Sequence, residues 1–93
     1  MRESKLVKQC REHVEGLGGK MPCWVSPGNV GVQDRILLLS GLPPVFIEFK
    51  GTGGRYRSMQ HYWYAWMLNN GFEAWKIDSF KDFVESIEKG FRS

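Results

Sequence analysis

Asp34, Glu48 and Lys50 are the residues on which this sequence can build a reaction. The apolar run VFIEF, residues 45–49, carries Glu48 and leads into Lys50, then into the glycine-rich basic stretch GTGGRYR, residues 51–57. An isolated ionised group costs several kcal/mol to bury, so these charges must be solvated, paired or holding a cation. Side chains alternate along a strand, so Glu48 and Lys50 share one face while Ile47 and Phe49 take the other. The preceding run RILLL, residues 35–39, is joined to VFIEF by SGLPP, short enough for an antiparallel hairpin. A turn that sets Leu39 opposite Val45 sets Ile36 opposite Glu48 and Asp34 opposite Lys50. Asp34, Glu48 and Lys50 then lie on one face, with diagonal neighbours about 7–8 Å apart. A slip of one residue would send Asp34 to the other face.

Two carboxylates held that close repel, and one protonates at neutral pH unless a cation satisfies both. Oxygen ligands with open positions suit Mg²⁺ or Mn²⁺ and not zinc. Such an ion lowers the pKa of a bound water and clamps a phosphoryl oxygen. An ammonium beside it, here Lys50, orients the attacking water and stabilises developing negative charge. The chemistry implied is metal-assisted hydrolysis of a phosphodiester. Taken singly, Glu48 and Lys50 also read as a solvated ion pair at a strand end, and Asp34 as a turn or cap residue.

The elements that must position these residues follow from periodicity. Leu6, Cys10, Val14 and Leu17 recur at helical spacing and predict an amphipathic helix over residues 3–17, stopped by Gly16, Gly18 and Gly19. Residues 21–25 read as a short strand, followed by the loop SPGNVG. The two apolar strands, 35–39 and 45–49, suit a sheet covered on both faces. Ser58 caps a helix over residues 59–69, with Asn70 and Gly71 as its stop. Residues 74–77 form a fourth strand, and Ser79 caps a last helix closed by Gly90. The expected order is αβββαβα, a small mixed α/β sheet flanked by helices.

With 93 residues, 42% hydrophobic and 25% charged, the chain fits a single domain over residues 1–93. Four Trp, six Phe and three Tyr are many for so short a chain, and self-association accounts for some of them. The net charge of +3 and a pI near 9.0 suit a polyanionic partner. Cys10 and Cys23 have no CxxC spacing and no histidine cluster, so they read as reduced core thiols, not as a zinc site or disulfide. No apolar run spans a bilayer and the charged N-terminus has no secretory apolar stretch, so a cytoplasmic protein without a membrane partner is expected.

Residues 31–60, GVQDRILLLSGLPPVFIEFKGTGGRYRSMQ, resemble the core of the VRR-NUC family, a branch of the PD-(D/E)xK nucleases. The shared pattern is a Gly-Val-x-Asp-Arg turn, a strand, an (I/V)ExK strand, a glycine-containing loop and a helix with an early Gln. The order of the remaining elements also matches, so the resemblance covers nearly the whole chain and implies a restriction-endonuclease-like core. It implies that Asp34, Glu48 and the carbonyl of Phe49 hold Mg²⁺ or Mn²⁺, and that Lys50 is the catalytic lysine. It further implies Gln60 as an active-site residue and Glu3 as an acidic residue turned toward the metal. Gln33 stands where the family usually has proline; that removes stiffness from the turn and no ligand.

Arg35, Lys50, Arg55 and Arg57 gather around the expected site, with Lys20 and Tyr56 as further DNA contacts. Phosphate contacts of this type give affinity without sequence information. The glycine loop lacks the GK[ST] ending of a triphosphate-binding loop. In the aromatic helix, Tyr62 or Tyr64 could stack on bases, while Trp63, Trp66 and Met67 fall on one face and read as core. His13 and His61 give no histidine-metal or histidine-base constellation.

Standalone members of the family resemble Holliday junction resolvases, are often phage-encoded and act as homodimers, so the resemblance implies a bacterial or phage-infected host cell. The expectation is a homodimeric, metal-dependent endonuclease cutting four-way DNA junctions. Two rivals stay open: a general nickase or flap nuclease, and a non-catalytic DNA-binding module.

Overall fold

The computed structural model describes residues 3–23, 34–49 and 58–92. Its elements run α1 (Lys5–Gly16), β1 (Asp34–Leu37), β2 (Val45–Phe49), α2 (Ser58–Asn69), β3 (Glu73–Ile77) and α3 (Phe80–Arg92). The strands form one sheet in the order β1-β2-β3, with β1 antiparallel to β2 and β2 parallel to β3. The parallel pair needs a crossover, and α2 lies within it. The expected small mixed sheet flanked by helices is what forms.

Serine caps and left-handed glycines set several of the helix ends. The Ser4 hydroxyl accepts from the Val7 N–H at 3.2 Å and so fixes the start of α1 at Lys5, two residues past Glu3. At its far end Gly18, at φ +85°, lets its N–H reach Glu15 O and lets the Gly19 N–H reach Val14 O. This is the 5→2 and 6→1 pairing of a Schellman motif. Gly71, at φ +83°, closes α2 the same way, with the Phe72 N–H on Met67 O at 2.9 Å. Ser79 caps α3 by accepting from the Asp82 N–H.

The core lies between one face of the sheet and the pair α1 and α3. Leu37, Val45, Ile47, Phe49 and Ile77 point to that face and meet Val7, Cys10 and Val14 of α1 and Phe83 and Ile87 of α3. Residues 7, 10 and 14 share a helical stripe, which is why α1 buries those three. Full burial of a large aliphatic or Phe side chain contributes about 1.5–3 kcal/mol, so this layer dominates stability. The opposite face carries Phe46, Glu48, Ala74 and Lys76 beneath α2, whose Met67 is buried.

Five expectations are corrected. The strand expected over residues 21–25 appears, within the described residues, as two isolated bridges alongside β1, Lys20↔Leu38 and Cys23↔Arg35. The Ile36 N–H donates to Pro22 O at 3.0 Å, but proline has no N–H to return, so the ladder breaks there. The hairpin register is shifted by two residues: Leu37, not Leu39, pairs with Val45, and Asp34 pairs with Glu48. Pro43 and Pro44 have no N–H for a longer ladder, and the turn closes instead through the Leu42 N–H on Leu39 O. Gly90 lies inside α3 and does not end it. A Cβ there would sit 2.7 Å from Leu42 Cδ2, so the glycine makes room for the hairpin turn. Finally, Cys23 is exposed rather than in the core, as is Trp66.

Candidate active site

β1 and β2 bring the two central positions together more closely than the expected register did. Asp34 and Glu48 are direct Cα partners across the antiparallel ladder, where paired Cβ atoms lie about 4.5–5.5 Å apart. Because the register moved by an even number of residues, positions 34 and 48 still belong to the same face. Glu48 is 5% exposed, and among the described residues it is the charged side chain that is buried. Phe49 ends β2 beside it, so its carbonyl closes the same strand end.

On β3, Lys76 is the Cα partner of Glu48. Asp34, Glu48 and Lys76 thus occupy one row across three strands. The Lys76 ammonium sits 4.5 Å from the centroid of the Tyr64 ring, a cation–π contact that holds it under α2. Sequence reasoning missed Lys76, because nothing in the stretch EAWKI announces a partner on a strand reached only through a crossover.

Glu3, which the family pattern turns toward the metal, is engaged by two arginines. Its Oε2 accepts from Arg11 Nε at 2.9 Å and from Arg35 Nη2 at 3.0 Å, and its Oε1 accepts from Arg11 Nη2 at 3.0 Å. The Arg11 hydrogen bond, then the charges of Arg11 and Arg35, hold the Glu3 carboxyl below its ordinary range against the opposing effect of burial. Arg35, expected on DNA, is committed to this cluster and to Met21 O at 3.1 Å, with 12% of its side chain exposed. Lys20 is exposed and bridges Leu38 through its backbone, which leaves its side chain at the surface beside β1.

Lys50, Arg55, Tyr56 and Arg57 lie outside the described residues. Gln60 falls in the first turn of α2, and its side chain lies outside the described ones. Among the described residues no three His, Cys, Asp or Glu side chains cluster as a metal site. The side chain of Asp34 lies outside the described ones, and its backbone is placed opposite Glu48 by the ladder.

Along α2 the aromatic residues make a continuous chain of ring contacts. Tyr62 meets Trp63, Trp63 meets Trp66, Trp66 stacks on Phe72 at 6.0 Å, and Phe72 meets Phe46 edge to face. Phe46, Trp63, Trp66, Met67 and Phe72 line an apolar groove of about 200 Å³ on the sheet face that carries Glu48. Tyr62, Trp66 and Phe72 remain exposed.

The sequence matches no family model and no curated protein. Among solved structures, a VRR_NUC domain is similar over 90% of this chain and 91% of its own length, with a TM-score of 0.74 and 24% sequence identity. The chain has the fold of a VRR_NUC domain.

Proposed function

We propose that this chain is a metal-dependent endonuclease that hydrolyses phosphodiester bonds in branched DNA, acting on four-way junctions as a homodimer. The observation that carries this reading is the pairing of Asp34 with buried Glu48 on a VRR_NUC fold. A carboxylate placed there, opposite a second one, is held ionised by a cation.

In this reading Asp34, Glu48 and the Phe49 carbonyl hold Mg²⁺ or Mn²⁺. When bound, that ion acidifies a water and neutralises charge on the scissile phosphate. Lys50 follows directly on the strand; its ammonium orients the nucleophilic water and stabilises negative charge on the phosphoryl oxygens. Gln60, in the first turn of α2, is the further active-site residue of this reading. Arg55, Tyr56 and Arg57, in the connection from β2 to α2, and Lys20 beside β1 supply backbone contacts to DNA. The exposed rings of Tyr62, Trp66 and Phe72 support self-association.

Cleavage of labelled four-way, flap and linear duplex DNA in Mg²⁺ and in Mn²⁺ tests the reading. Paired symmetric cuts in the four-way junction are expected. Equal cutting of all three substrates would remove the junction preference, cutting of flaps alone would make this a flap nuclease, and binding without metal-dependent cutting would overturn catalysis.

A further inference from the structure

The sheet face away from Glu48 carries an ionic cluster that the catalytic scheme does not use. Glu3 precedes α1, Arg11 projects from α1, and Arg35 is the residue after Asp34 on β1. Arg11 grips the Glu3 carboxylate with two parallel N–H donors, a bidentate geometry, and uses its third nitrogen on Glu15 Oε1 at 2.9 Å. Arg35 divides its fork, giving Nη2 to Glu3 and Nη1 to Met21 O.

This cluster stands where β1 is least supported by backbone. Pro22 cannot donate to Ile36, so the ladder outside β1 has a missing rung next to Arg35. Met21 lies between the hydrogen-bonded pairs of that ladder, so its carbonyl looks away from β1. The Arg35 side chain reaches over to take that carbonyl and ties residues 20–23 back to β1. Glu3 anchors the same guanidinium to the start of α1. Strand β1 is short, and Asp34 is its first residue, so whatever fixes Arg35 fixes the backbone of Asp34.

We propose that Glu3 and Arg35 form a clamp behind the sheet that positions Asp34 for metal binding, and that Glu3 is a positioning residue rather than a ligand. The inference rests on the metal-site reading given above. Two guanidinium groups on one carboxylate neutralise it and fill both oxygens, which leaves Glu3 poorly suited to a cation. Residues that orient a ligand from outside the coordination sphere typically change metal affinity by about 10–100-fold when removed.

The test is Mn²⁺ affinity by calorimetry, with metal-bound water counted by electron paramagnetic resonance. It compares the wild type, Glu3→Gln, Arg35→Gln, the double variant, Arg35→Lys and Asp34→Asn, each below its own melting temperature. A merely structural cluster would lower the melting temperature and leave the affinity of folded protein unchanged. The clamp predicts that Glu3→Gln and Arg35→Gln each weaken Mn²⁺ binding by about 10-fold. The double variant is then no weaker than the worse single one, and the count of bound water is unchanged. Arg35→Lys, which keeps the charge but not the fork, behaves like Arg35→Gln and serves if the latter does not fold. Unchanged affinity in the folded variants overturns the proposal. So do additive losses with one extra bound water, which would make Glu3 a ligand. If the wild type fails to bind Mn²⁺, or Asp34→Asn binds as well as the wild type, the metal-site reading itself fails and takes the clamp with it.

Discussion

At the scale of single residues, environment separates groups that the sequence presents as equivalent. Cys10 is fully enclosed in the core, and burial pushes its thiol up to about 12, whereas Cys23 is exposed. Because the thiolate is the reactive form, a disulfide reagent at neutral pH should label Cys23 rapidly and Cys10 only at the rate of unfolding. Equal labelling of both would contradict the packing of α1. The helical spacing of Cys10 made its burial legible, but the interruption at Pro22 hid the exposure of Cys23. Glu3 titrates in the opposite sense: its folded pKa lies below the ordinary value of 4.5, so its contribution to stability is present above that value. That contribution is lost as pH falls through the depressed folded value. The melting temperature of the wild type should therefore exceed that of Glu3→Gln at neutral pH, with the gap closing in acid; a gap that widens in acid would contradict the pairing. Nothing in sequence spacing announces that Arg35 joins Arg11 on Glu3, because that contact spans 32 positions of the chain.

At the scale of elements, local signals carried further than long-range ones. Ser4, Ser79, Gly18 and Gly71 set helix ends through contacts within a few residues; the ends at Ser79, Gly18 and Gly71 were legible, whereas the first helix was expected to begin at Glu3 and not after Ser4. The hairpin register depended on where Pro43 and Pro44 stop the ladder, and hydrophobicity alone does not report that. Parity survived the shift, which is why Asp34 and Glu48 were rightly assigned to one face. Gly19 shows how close the packing is where α1 leaves for the sheet: a Cβ there would lie 2.6 Å from the Leu38 carbonyl oxygen. Gly19→Ala should destabilise the fold by about 1–3 kcal/mol in denaturant unfolding, as overpacked sites do. Gly16→Ala, with nothing within 4 Å of the added methyl, is the control and should be neutral or slightly stabilising. A neutral Gly19→Ala would contradict the close approach of α1 to β1.

At the scale of the whole molecule, one sheet separates two differently built faces. The α1 and α3 side is an apolar core with the Glu3–Arg11–Arg35 cluster at its edge; the α2 side holds Glu48, Lys76 and a line of aromatic rings. α2 was legible as aromatic but not as half exposed, with Tyr62 and Trp66 at the surface. If the dimer uses this surface, sedimentation should show the wild type as a dimer and Trp66→Gln dissociating about 30-fold more readily, as for a central aromatic anchor. A wild type that stays monomeric would remove the dimer from the account. The central claim is metal-dependent hydrolysis at the Asp34–Glu48 pair. It is tested most directly by cleavage of a labelled four-way junction in Mn²⁺ by the wild type, Glu48→Gln and Lys50→Ala. The account predicts cutting by the wild type and a loss on the order of 10²-fold or more in both variants, with junction binding retained. Undiminished cutting by Glu48→Gln, or none by the wild type in either metal, would contradict it.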